Sequence, residues 1–341
     1  MESGGGTRRP VVWAAAGALL VTGFGGGAWA LGLFSGPSAC AGASLDLPVA
    51  AQPEIVPALR DAASRFNVER HRVAGRCVRA RVTAVAPADY ARDPGVRSRA
   101  DAWVPESSLW LGVVRGAGDA SIPAAGVSLA ASPVVLATTR PVEEEFRDAG
   151  VEPGWKLLMD GEAGGLDLAR RVADPGTGMS GTVAMIAVRQ VGGKKAGGVA
   201  RALRRDAASG GSPAVLAGLV EAERFDRPLA VTSEQAAVAY NGTHRPNPVS
   251  VLRPDEGTLA LDHPYVVTAR DQRRREAAEA FRDALGTRSA RDILQRAGFR
   301  APDGTFSARY AREHGLPEAA PRFLRFPTRK EIDRALASWK T

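Results

Sequence analysis

A chain of 341 residues with 45% apolar and 24% charged side chains is long enough to bury one large or two medium cores, which excludes a disordered tail or a small stapled scaffold. The formal net charge is +8, but only five of the 45 basic residues are lysines. With no basic stripe interleaved with aromatics and no recognisable nucleic-acid module, that Arg, Ala and Gly bias reads as GC-rich coding rather than as a nucleic-acid surface.

Val11–Phe34 carries no charged residue. A helix of that length would cross a hydrocarbon core of about 30 Å. Arg8 and Arg9 precede it and no further Lys or Arg follows until Arg60, so residues 1–10 are expected inside and the folded part outside. Residues 11–34 read as a transmembrane anchor or, alternatively, a cleaved signal peptide, with 35–44 as linker. Either reading exports the rest of the chain. In an oxidising compartment Cys40 and Cys77, the only two cysteines, are the available disulfide pair. A lipidated Cys40 is the competing reading, but Pro37-Ser38-Ala39 lacks the aliphatic residue that a lipoprotein signal needs.

Leu45, Leu47 and Val49 alternate as a first strand, and Pro48 inside it predicts an edge or distorted position. Glu54–Asn67 puts Ile55, Leu59, Ala62 and Phe66 on one face of a helix. Val78, Ala80, Val82 and Ala84 predict a half-exposed strand, and Asp89–Ala100 a weak helix or loop. Asp101–Val114, D-A-W-V-P-E-S-S-L-W-L-G-V-V, follows. There an apolar strand breaks at Pro105, exposes Glu106, Ser107 and Ser108, and runs into a helix. Strand ends that meet helix N-termini are where open α/β sheets build ligand sites, although the two serines also suit a helix cap.

Ser132–Ala137 reads as a buried strand. Asp174–Gly181 then leads into the apolar Val183–Val188. Its Gly176-Thr177-Gly178-Met179-Ser180-Gly181 matches G-x-G-x-x-G, but no buried strand directly precedes it and no acidic strand end follows about 20 residues later. A loop offering backbone N–H groups to a polar ligand fits better. Leu229-Ala230-Val231 is a strand ending in Thr232-Ser233-Glu234-Gln235 and opening a helix. Val249–Leu252 is a strand, and Leu259–Val267 holds Asp262, His263 and Tyr265. Arg273–Leu285 and Ala290–Ala297 are helices, the first carrying Arg273-Arg274-Arg275 on a solvated face. Gly298 is a C-cap signal, and a last helix is expected from Thr328. Strands and helices alternate, so the class is α/β.

No H-E-x-x-H, G-x-S-x-G or Walker loop occurs, and His71, His244, His263 and His314 are scattered. No nucleophile–base pair stands out, and neither enzymatic activity, a metal nor a cofactor is expected. His263 is expected to be a turn residue, and Asp262 a turn carboxylate before a ligand contact.

The segments D-A-W-V-P-E-S-S-L-W, S-P-V-V-L-A, T-S-E-Q-A-A-V-A-Y-N, D-E-G-T-L-A-L-D-H-P-Y-V-V and A-G-F-R-A-P-D-G, in this order, resemble bacterial extracellular solute-binding proteins of the type 2 periplasmic-binding fold. The similar branch is distantly related to molybdate- and sulfate-binding proteins. It often continues into a von Willebrand A domain, which is not expected in a sequence ending at Thr341. The resemblance implies two α/β lobes, residues 45–135 with 249–341 and residues 136–248. It places crossovers near Ser132–Thr139 and Leu229–Asn247, and a ligand cleft between the lobes. Carried onto this sequence, the cleft would be lined by Gln52, Glu106, Ser107, Ser108, Thr177, Gly178, Ser180, Ser233 and Glu234, with Asp262 and Tyr265 as further candidates. Glu106 and Glu234 would repel a small oxyanion, so a neutral, cationic or larger solute is expected. The implied role is a membrane-anchored extracellular solute-binding module for uptake or sensing, working with a permease or another envelope protein. The alternative is an envelope scaffold that keeps the fold without a transported solute.

Overall fold

Side chains that alternate at a period of two divide the first sheet's residues between two cores. In the computed structural model, which describes residues 44–340 apart from 197, 206, 209–210 and 221–225, this sheet is built from the first third of the chain and one returning strand. The elements run β1 (Leu45–Ala51), α1 (Val56–Glu69), β2 (Arg72–Val73), β3 (Arg76–Ala84), α2 (Pro87–Arg92), α3 (Pro94–Arg97), β4 (Ala102–Val104), α4 (Leu109–Gly116) and β5 (Val127–Ser128). Then come β6 (Ser132–Thr139), α5 (Arg140–Asp148), α6 (Trp155–Asp160), β7 (Glu162–Ala163), β8 (Leu166–Asp167), β9 (Ala169–Arg171), α7 (Met179–Gly192), α8 (Val199–Arg204) and α9 (Ser212–Val220). Next are β10 (Pro228–Ser233), α10 (Glu234–Thr243), β11 (Val249–Leu252), β12 (Ala260–Leu261) and β13 (Pro264–Val267). The chain closes with α11 (Gln272–Leu285), α12 (Arg288–Arg296), α13 (Ala308–His314) and α14 (Arg329–Lys340).

The first sheet has the order β2-β3-β1-β4-β13-β5, with β1 parallel to β3 and β4. Leu47, Val49, Ala51, Ala102 and Val104 face α1, α11 and α12, packing on Ile55, Leu59, Phe66, Phe281 and Leu294. Ala50 and Trp103 face the other way, into a core with Tyr90, Trp110 and Leu111. Each fully buried Leu or Phe in these layers contributes roughly 1.5–3 kcal/mol. Pro48 does not make β1 an edge strand. It lies between β3 and β4, paired with Arg81. Its carbonyl accepts from the Asp101 N–H on the β4 side, so its missing N–H also faces that side. The β4 ladder starts only at Val49↔Ala102, so no sheet hydrogen bond is lost there.

The second sheet has the order β11-β6-β10-β9, with β12 also on β6. Val134 and Leu136 of β6 share a core with Val183, Met185 and Ile186 of α7. Ala137 faces Val215 and Leu216 of α9 and Ala236 and Ala237 of α10. The chain crosses between sheets from β5 into β6 and returns from β12 into β13. These two segments pair with each other, Ala260↔Pro133 and Leu261↔Ser132. The return therefore lies close to residue 262 rather than at Leu229–Asn247, because β10 pairs with β6 and β9, both within the second sheet. β11 also sits there, opposite β6, and Ile332, Ala335 and Trp339 of α14 join the α7 core. Residues 249–261 and the last helix thus pack with the second sheet, although the sequence reading put 249–341 in lobe 1.

Among the described residues no helix is long and apolar enough to cross a membrane. The charge-free Val11–Phe34 and Cys40 lie outside the described residues. Cys77 is buried in β3.

Candidate ligand cleft

The carboxyl ends of the parallel strands β1 and β4 lie side by side, and the loops that leave them bring Gln52 and Glu106–Ser108 to one edge of the first sheet. The Gln52 N–H donates to the Val104 carbonyl at 2.9 Å, and Gln52 Oε1 accepts from the Glu54 N–H at 2.9 Å. The second loop is held by the β12–β13 turn. There the His263 N–H donates to the Glu106 carbonyl, and Asp262 Oδ1 accepts from the Ser108 N–H at 2.7 Å. Ser107 Oγ accepts from the Leu109 N–H at 3.3 Å, a local contact at the start of α4.

Against this edge lies the N-terminus of α7, on the second sheet's side. Asp174 folds the glycine-rich loop, accepting from Gly176 N–H on its side chain and from Thr177 Oγ1 and the Thr177 and Gly178 N–H groups on its carbonyl. Gly181 is required because a Cβ there would lie 2.0 Å from the Ala173 carbonyl oxygen. The G-x-G-x-x-G run is thus a close helix-on-backbone packing. Across the gap, Glu106 Oε1 accepts from the Met179 N–H at 2.6 Å and from Trp110 Nε1 at 3.1 Å. An unpaired helix N–H is a ready anion partner, and here the protein's own carboxylate fills that role. Arg92 crosses the same gap, donating to the Gly176 carbonyl at 2.9 Å. Ser180, in the first turn of α7, is fully buried and its hydroxyl has no partner.

Two of the three predicted tips therefore meet directly, Glu106–Ser108 with Thr177–Ser180. The third, Ser233–Gln235, makes no hydrogen bond to Glu106–Ser108 among the described residues. The Ser233 N–H donates to Ser212 Oγ, and a Cβ on the adjoining Gly211 would come within 3.0 Å of Glu54 Oε1. Ser233 Oγ itself caps α10, accepting from the Ala236 N–H. Glu234 and Gln235 turn elsewhere. Glu234 is buried and ion-paired to Arg300 at 2.5 Å and Arg253 at 3.0 Å, and Gln235 Nε2 donates to the Ala297 carbonyl. The Tyr265 hydroxyl donates to the Ala278 carbonyl inside the first core, and burial pushes its ionisation upward. His263 is buried in its turn at φ 37, where burial lowers its imidazole to about 3, so it stays neutral.

Sequence reasoning missed Glu54, which it read only as the opening residue of an amphipathic helix. Its position three residues past the β1 strand end was the available signal. Burial pushes the Glu54 carboxyl up to about 8, and the charge of Glu106 adds to this. Glu106 is raised by burial too, opposed by its bonds from Met179 and Trp110. Neither carboxylate has a basic partner among the described residues, and no group of three or more potential metal ligands forms there.

Two α/β sheets joined by paired crossing segments, with the strand ends of one bonded to a helix N-terminus of the other, match the type 2 periplasmic-binding fold. The chain belongs to the family described as bacterial extracellular solute-binding protein, whose model matches residues 47–300. These are binding proteins, not enzymes. No curated protein matches the sequence. Among solved structures, the chain is similar to a periplasmic thiamin binding protein, with TM-score 0.63 and 13% identity, covering 87% of this chain and 96% of that one. It is also similar to the periplasmic binding protein AfuA from Actinobacillus pleuropneumoniae, with TM-score 0.59 and 13% identity, covering 87% and 98%. The sulfate-binding protein SubI from Mycobacterium tuberculosis matches with TM-score 0.57 and 20% identity, covering 88% and 97%.

Proposed function

We propose that this protein captures a small solute between its lobes at the outer face of a membrane, for uptake through a permease or for sensing. The observation that carries the reading is the hydrogen bond from Met179 N–H to Glu106, which ties the strand-end wall to the helix wall across the gap. A contact of this kind can form only when the lobes are closed, so it supports a hinge that opens about the paired β6 and β12 segments. The ligand-facing groups are Gln52, Glu54, Glu106, Ser107, Ser108 and Asp262 on one wall and Thr177, Gly178, Ser180 and Ser233 on the other. Small-angle scattering with a metabolite library tests this. A smaller radius of gyration with one solute supports capture. No compaction with any solute, together with a co-purifying envelope protein, supports the scaffold reading instead.

The charge-free Val11–Phe34 supports anchoring, with the N-terminus inside, because residues after it carry the family's extracellular domain. A bridge between Cys40 and Cys77, the only two cysteines, would tie the juxtamembrane segment to β3. Closing a loop of that length contributes roughly 3–4 kcal/mol in the chain-entropy model. Reduction is therefore expected to lower the melting temperature of the exported chain, and an unchanged melting curve would rule the bridge out.

A further inference from the structure

The protein neutralises its other fully buried acid with its own arginines. Glu234 holds Arg300 and Arg253, and the less buried Asp101 holds Arg274 at 2.8 Å. Glu106 is just as buried, at 3% exposure, and receives only the neutral donors Met179 N–H and Trp110 Nε1, both on Oε1. Among the described residues no donor reaches its Oε2. The half-buried Glu54 stands close enough to feel its charge and also has no basic partner among the described residues. A buried carboxylate without a counter-charge carries a large desolvation cost, and two facing each other add repulsion. The unpartnered Ser180 hydroxyl, in the first turn of the same helix that holds Glu106, is a second polar group left unsatisfied there.

We propose that the counter-charge is the solute: the cleft takes an organic ammonium compound, held between Glu54 and Glu106, with Ser180 as an additional acceptor. This rests on the solute-capture reading and specifies its ligand class. A small oxyanion is excluded from the α7 N-terminus because Glu106 already occupies the Met179 N–H. The charged groups around the site are Glu54 and Glu106, with Asp262 held on Ser108 beside them, Asp174 folding the glycine-rich loop and Arg92 donating to the Gly176 carbonyl rather than to either glutamate. The walls contributed by α7 and the Gly211 turn present backbone and hydroxyl groups. At neutral pH Glu54 is largely protonated, so binding a cation expels about one proton, and affinity rises as pH climbs toward 8.

Calorimetry on the exported chain tests this with tetramethylammonium, choline and putrescine as cations, and sulfate and molybdate as anions. At least one cation is expected to bind, with proton release at pH 7 read by comparing two buffers of different ionisation enthalpy. Glu106→Gln, which keeps an acceptor for Met179, is expected to weaken that binding by at least about tenfold. Glu54→Gln is expected to abolish the proton release, and unchanged melting curves show that both variants fold. Cation binding unaffected by either substitution overturns the proposal. Binding of sulfate or molybdate with compaction overturns it as well while leaving solute capture standing. No binding by any probe, with no compaction by any metabolite, overturns both readings.

Discussion

Replacing Arg300 by methionine is expected to destabilise the protein by about 3–5 kcal/mol, the cost of leaving a buried charge without its partner. Arg300 is fully buried, with Nε and Nη2 on the two oxygens of Glu234 and Nη1 on the carbonyls of Gly304 and Ala319. Its guanidinium also lies 4.7 Å from the centre of the Phe306 ring. The substitution removes donors from two carbonyls and half of the counter-charge of Glu234. Arg253 is 31% exposed and remains on Glu234, which places the loss toward the lower end of the range. The residue also joins parts of the fold. Its backbone pairs with Ala131 at the first crossing, while its side chain grips the start of α10. The double variant Arg300→Met/Glu234→Gln is expected to recover part of the loss, since no buried charge is then left unpaired. Urea unfolding measures both, and a single-variant change below about 1 kcal/mol would contradict the ion-pair account.

The second large effect is expected at Gly181. A Cβ there would sit 2.0 Å from the Ala173 oxygen, 3.0 Å from the Ala173 carbonyl carbon and 3.3 Å from the Pro175 nitrogen. All three are backbone atoms, so no side chain can swing aside and α7 itself must shift. Overpacking of this kind costs about 3 kcal/mol or more, against a propensity gain of at most about 1 kcal/mol from replacing a helical glycine. The shift also moves the Met179 N–H away from Glu106, so Gly181→Ala is expected to loosen cleft closure as well as lower the melting temperature. Gly242→Ala in α10 is the control, because a Cβ there meets nothing within 4 Å. Equal melting temperatures for the two variants would show that the loop and helix accommodate the methyl group.

Local pattern made most elements readable. The helix over Val56–Glu69 buries Leu59, Ala62 and Phe66, and its N-cap Ile55 is buried with them, as the 3.6 period predicts; β3 buries Val78, Ala80 and Val82 while exposing the arginines between them. The three polar strand ends stand out because a strand cannot continue through Pro105 or through the turn chemistry of Asp174–Gly178. What failed was anything that depends on partners distant in the chain. Pro48 looks like an edge residue until β4 is seen to begin one position later. Glu234 looks like a ligand carboxylate until Arg300, 66 residues away, is found against it. Glu54 looks like a helix opening until Glu106 faces it.

The sequence by itself determined the class of fold, the strand-end loops and the family resemblance, because hydrophobic period, turn residues and motif order act over a few neighbouring positions. Tertiary structure alone decided which carboxylates are neutralised and which stay without a counter-charge, and which lobe receives the last strands and helix. Those outcomes depend on desolvation and ion pairing between segments that only the folded chain brings within a few ångströms.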